Sequence, residues 1–109
     1  MFRSMVMLLS ALVPHHHHKP VMLGPVTASW YYDQGYSALG CGFVARVGLA
    51  TLIAPCGTKF RICHGSRCVT ATRDDSGPYV GGRTFDLGIA ARNALACSGL
   101  CSVTYAIVK

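Results

Sequence analysis

Residues Arg73 to Gly88 read RDDSGPYVGGRTFDLG, and this stretch holds Asp74, Asp75 and Asp86, three of the four acidic residues in the chain. The fourth is Asp33, and glutamate is absent. The 109-residue chain as a whole runs the other way: ten Lys+Arg against four Asp+Glu give a net charge of +6. Gly77-Pro78 and Gly81-Gly82 break the stretch with turns. Downstream, LGIAARNALA (Leu87–Ala96) spaces Ala and Leu so that one side of a helix can be buried.

Upstream of the acidic stretch the pattern is short strands. In TKFRIC, Phe60 and Ile62 fall on one face and Lys59 and Arg61 on the other. HGSR then turns the chain, and RCVTATR returns with Val69 and Ala71 opposed to Thr70 and Thr72, which makes a hairpin. VTASWYY (Val26–Tyr32) is rich in β-branched and aromatic residues, and LATLIA (Leu49–Ala54) is a short apolar run stopped by Pro55. At the end of the chain, CSVTYAIV places Val103, Tyr105 and Ile107 on one face. Five or six short strands and one helix, without repeats, predict a small closed β-barrel.

The six cysteines form an even set in a short chain, which reads as a disulfide framework in an oxidising compartment. Cys63 and Cys68 flank the HGSR turn and face each other across the hairpin. Cys97 and Cys101 bracket a short hinge after the helix. Cys41 is then left for Cys56, closing a loop whose cross-link contributes about 3 kcal/mol in the chain-entropy model. A zinc site built from the C-x4-C and C-x3-C pairs is the competing reading. Residues 1–24 are signal-like: Arg3 precedes an apolar run from Met5 to Val13 that is too short to span a membrane. The His15–His18 run is set aside from the mechanism. The basic residues are scattered and not interleaved with stacking aromatics, so the charge predicts an anionic partner but not nucleic acid.

ASWYY, PCGTKFRI and DDSGPYVGGRTFDLG with its alanine-rich helix, taken in that order, resemble the rare lipoprotein A (RlpA)-like domain. That domain is a six-stranded double-psi β-barrel related to the first domain of expansins. The resemblance covers Thr27 to Val108 and assigns residues 25–109 to one such domain. It implies a mainly-β, disulfide-stapled double-psi barrel with one short helix, located outside the cytoplasm, either secreted or periplasmic. It also implies action as a monomer on peptidoglycan or another cell-wall polysaccharide, without a cofactor or metal. Asp75 matches the aspartate of the family's D-R-G-P motif, and Asp86 that of its F-D-L segment, so these two are the candidate catalytic residues. Trp30 and Tyr31 match the family's W-Y pair beside the substrate groove; with Tyr79 and Arg83 they are the candidate substrate-binding residues. Gly57 and Thr58 match the G-T that opens the third strand.

Three positions depart from the family pattern. Ser76 replaces the usual Arg, Thr51 stands where catalytic members commonly have His, and Gly40–Phe43 lacks the early Gly-Glu. The resemblance therefore leaves two functions in view. One is a lytic transglycosylase, in which an aspartic acid with a raised pKa serves as acid and base. The other is a non-catalytic, expansin-like module that binds or loosens wall polysaccharide. A disulfide-stapled effector or inhibitor that binds protein is a third class. Each candidate also has a structural reading: Asp86 as the helix N-cap, Asp74 and Asp75 as turn residues, Arg83 as their ion-pair partner, and Trp30 and Tyr31 as half-buried strand aromatics. Thr51 and His64 read as an ordinary strand residue and turn residue.

Overall fold

The computed structural model describes residues 21–109. The His15–His18 run and most of the signal-like segment lie outside these residues. In chain order the elements are β1 (Leu23–Trp30), β2 (Gly48–Thr51), β3 (Lys59–His64), β4 (Arg67–Asp75), β5 (Phe85–Leu87), α1 (Ile89–Leu95) and β6 (Cys101–Val108). The strands close into a barrel in the order β1-β5-β2-β4-β3-β6. β1 with β5 and β2 with β4 are parallel, and the other pairings are antiparallel.

The β3–β4 hairpin forms where the alternation predicts it. Phe60, Ile62 and Ala71 are fully buried, Lys59 and Arg61 are exposed, and Gly65 makes the turn at φ 61°. Cys63 and Cys68 lie directly opposite each other and are bonded. Cys41–Cys56 and Cys97–Cys101 are the other two disulfides, so the cysteines are paired instead of gathered into a zinc site. In the core, Phe85 sits edge-on to both Phe60 (5.2 Å between ring centroids) and Tyr105 (5.1 Å). Along β6 Val103 is buried and Tyr105 packs against the core, but the alternation breaks after them, with Ala106 buried and Ile107 not. Ile107 pairs with Phe60 near the end of the strand and stays half-exposed, so it adds little to the core.

Two boundaries differ from the sequence reading. β1 ends at Trp30, which leaves Tyr31 and Tyr32 on the loop that follows. The helix begins at Ile89, because Phe85–Leu87 is a separate strand inserted between β1 and β2. Phe85 and Leu87 are fully buried on either side of half-buried Asp86. That is a period of two, but three residues are too few for alternation to stand out beside a helical pattern.

Candidate functional site

Ala50 of β2 pairs with Asp75 of β4 on one side and with Asp86 of β5 on the other. Asp86 pairs in turn with Ser29 of β1. Paired residues project from the same face of a sheet, so Asp75, Ala50, Asp86 and Ser29 form one rung. The rung points away from the face on which Phe85 and Leu87 are buried. Only an alanine methyl separates the two aspartates, whose Cα atoms lie two interstrand spacings apart, roughly 10 Å. The topology thus brings together the two residues singled out as catalytic candidates.

Their surroundings differ. Asp75 accepts hydrogen bonds at both carboxylate oxygens: Oδ2 from the Tyr31 hydroxyl at 3.2 Å, and Oδ1 from the backbone N–H groups of Gly40 and Ser76 at 2.9 Å each. Asp86 accepts one bond, from the Ser29 hydroxyl at 3.0 Å. Burial raises the Asp86 pKa above the ordinary carboxylate value, while the Ser29 bond and the Arg83 charge oppose the rise and the Asp75 charge adds to it. Burial and the neighbouring Asp75 charge push the Tyr31 phenol up, so it stays protonated and donates to Asp75. Tyr31 is therefore held as a positioning group at the rung.

The remaining sequence candidates fall in different places. Arg83 is half-buried and near enough to Asp86 to lower its pKa. Tyr79, on the β4–β5 loop, is 79% exposed. Trp30 is partly buried against the core, and the Arg92 guanidinium sits 4.5 Å from its ring centroid, covering one face of the ring. Thr51 is fully buried and donates its hydroxyl to the Thr84 carbonyl at 2.8 Å. His64 ends β3, with Nδ1 2.9 Å from the Leu95 carbonyl, and so ties the hairpin to the end of α1.

Two of the structural readings are corrected. Asp86 does not cap the helix. The N-cap is Gly88, without a side-chain bond, and the free Ile89 N–H donates to Asp33 Oδ1 at 2.9 Å. Asp33, 1% exposed, thus does from a distant loop what Asp86 was expected to do locally. Nor is Asp74 a turn residue. It is a fully buried member of β4 that accepts the Ala45 N–H at Oδ2 (2.9 Å), while its Oδ1 has no partner among the described residues. Sequence reasoning also missed Ser29, Gly40 and Arg73. Arg73 donates to the Asp75 and Ala54 carbonyls and to the Ser76 hydroxyl, fixing the turn after β4. Strand alternation alone could have flagged Ser29, which lies one residue before the W-Y pair.

Burial raises the pKa of Asp74 from its ordinary 3.8, an effect partly offset by the Ala45 N–H. The Asp86 shift has the same sign. The folded protein therefore holds these protons more tightly than the unfolded chain. The associated stability is complete below the ordinary carboxyl value and is lost as pH rises through the raised folded-state values. We expect unfolding free energy to fall as pH rises from about 4. Asp74→Asn, which can keep the Ala45 bond, should flatten that fall. Urea unfolding across this range checks it, and equal slopes for the two proteins would rule Asp74 out as the source.

No family model matches the chain, and no curated protein does. Among solved structures, the chain is similar to the expansin of Clavibacter michiganensis in its apo form, with a TM-score of 0.65 and 23% identity over 77% of this chain. It is also similar to an aspartate-to-asparagine variant of that expansin in complex with cellohexaose, with a TM-score of 0.64 and 22% identity. In both cases the match spans 49% of the expansin, so the chain corresponds to about half of that protein. Closed six-stranded order, mixed parallel and antiparallel pairing and this likeness together give the chain the expansin-related double-psi β-barrel fold.

Proposed function

We propose that the protein is a non-catalytic, expansin-like module, exported from the cytoplasm and acting as a monomer, that binds cell-wall polysaccharide along the Asp75–Ala50–Asp86–Ser29 rung. The observation that carries this reading is the rung itself. It offers two carboxylates across a floor lowered by alanine, of which Asp86, holding one hydrogen bond from the protein, is best suited to accept others from sugar hydroxyls. Tyr79 and Arg83, on the loop that leads into β5, would flank the polymer. Cellohexaose is bound by an expansin of the same fold, which makes a β-linked glucan the first ligand to try. Three disulfides suit an oxidising compartment.

Turnover is the weaker reading. The Thr51 hydroxyl, at the place of the family's His, is fully buried and donates to the Thr84 carbonyl. Asp86 is the acid on which a lytic transglycosylase would have to rely, since burial favours its protonated form.

Co-sedimentation with insoluble cellulose and with peptidoglycan sacculi tests the proposal, combined with mass spectrometry of the released material. The parent protein should sediment with the polymer and release nothing. Asp75→Asn combined with Asp86→Asn should weaken binding about tenfold or more, the effect of losing two charge-assisted hydrogen bonds. Anhydro-sugar fragments from the parent but not the variant would instead make it a transglycosylase. An absence of affinity for any wall polymer would leave the protein-binding class.

A further inference from the structure

A second surface lies on other strands. Lys59 and Arg61 project from the outer face of β3, two residues or roughly 7 Å apart along the strand. Thr72 and Thr70 of β4 pair directly with them, so each cation has a hydroxyl-bearing neighbour on the same face. On the other flank Lys59 pairs with Val108, and Lys109 follows immediately. This surface is thus a row of cations interleaved with threonines.

Its charge is not neutralised by its own elements. All four side-chain carboxylates of the chain are placed elsewhere: Asp33 after β1, Asp86 on β5, and Asp74 and Asp75 at the far end of β4. The last two are engaged by Ala45, Gly40 and Tyr31 from the β1–β2 loop. The chemistry of the face also narrows its partner. Tyr105, the aromatic residue of β6, is turned into the core against Phe60 and Phe85, so this face has no ring on which a base could stack. Guanidinium and ammonium groups beside hydroxyls suit carboxylates carried on sugars.

We propose that the outer face of β3, β4 and β6, centred on Lys59 and Arg61, is a second binding surface, specific for a carboxylate-bearing polysaccharide such as a polyuronate. It is separate from the aspartate rung and does not depend on what the rung binds. An acidic polymer held there would be kept away from the rung, whose carboxylates repel it.

The test measures binding of polygalacturonate, its methyl-esterified form and a soluble neutral β-glucan to the intact protein. The variants are Lys59→Gln with Arg61→Gln, and Asp75→Asn with Asp86→Asn; circular dichroism confirms their fold. Polygalacturonate should bind the parent, lose about tenfold in affinity on full esterification or in the Lys59/Arg61 variant, and weaken steeply with added salt. The aspartate variant should bind it at least as well as the parent. Equal polygalacturonate affinity in parent and Lys59/Arg61 variant would overturn the proposal, as would tighter binding of a single-stranded oligonucleotide. Loss of β-glucan binding confined to the aspartate variant concerns the rung alone, so the two proposals can fail separately.

Discussion

Gly48→Ala should destabilise the protein by about 3 kcal/mol, the upper end of what overpacking a core costs. A Cβ at Gly48 would run into the Asp74 carboxylate, with Oδ2 and Cγ both inside contact distance. Asp74 has nowhere to go, since it is fully buried within β4 and Oδ2 already holds the Ala45 N–H. Nor can Gly48 retreat: it pairs with Thr72, and its carbonyl accepts the Gly88 N–H at 2.9 Å. Pairing Gly48→Ala with Asp74→Ala should recover part of the loss, because the clash goes even though the Ala45 N–H loses its acceptor. The coupling measured by a double-mutant cycle is the readout. Additive single effects, or a Gly48→Ala protein as stable as the parent, would mean that Asp74 does not sit against Gly48.

Removing the Cys41–Cys56 bond should cost a similar amount, about 3 kcal/mol for a link closing a loop of this size. The consequence for the rung should be larger than the stability loss suggests. The bond fastens the β1–β2 loop to the β2–β3 loop, and the same β1–β2 loop supplies Tyr31 and the Gly40 N–H to Asp75. Without it, the Cys41→Ser, Cys56→Ser protein should keep its barrel, held by the other two disulfides, yet bind wall polymer poorly. Thermal unfolding together with co-sedimentation separates the two effects. Unchanged polymer binding in a destabilised protein would show that Asp75 is held in place without its loop.

The features that were legible in the sequence were local. The β3–β4 hairpin declared itself through Phe60, Ile62 and Ala71, and its turn placed Cys63 opposite Cys68. The helix declared itself through Ala91 and Leu95, both fully buried. What the residues alone could not supply was long-range pairing. The likeness of DDSGPYVGGRTFDLG to a known barrel brought Asp75 and Asp86 forward, but nothing in that segment says that Ala50 lies between them. Asp33 is the plainest case: its cap on Ile89 spans 56 residues. Asp74 and Asp75 are neighbours in sequence, yet an irregularity in the β2–β4 ladder sets Asp74, fully buried, against Gly48 while half-buried Asp75 pairs with Ala50. A turn reading of DDSGP cannot separate them, because the strand continues to Asp75 before the turn begins.

The order of strands around the barrel also sets the order in which it can be completed. β1 is made first, yet its partners are β5 and β6, the last two strands of the chain. A chain emerging from its N-terminus can form the β3–β4 hairpin early, since both strands are adjacent in sequence, but β1 must wait for Phe85–Leu87 before it can pair on one edge and for Cys101–Val108 before the other edge is covered. Until then its row of backbone amides is an open edge, the kind of template that recruits other chains. Closure with β6 removes that edge, so the final eight-residue strand also ends the period in which the nascent protein is prone to aggregate.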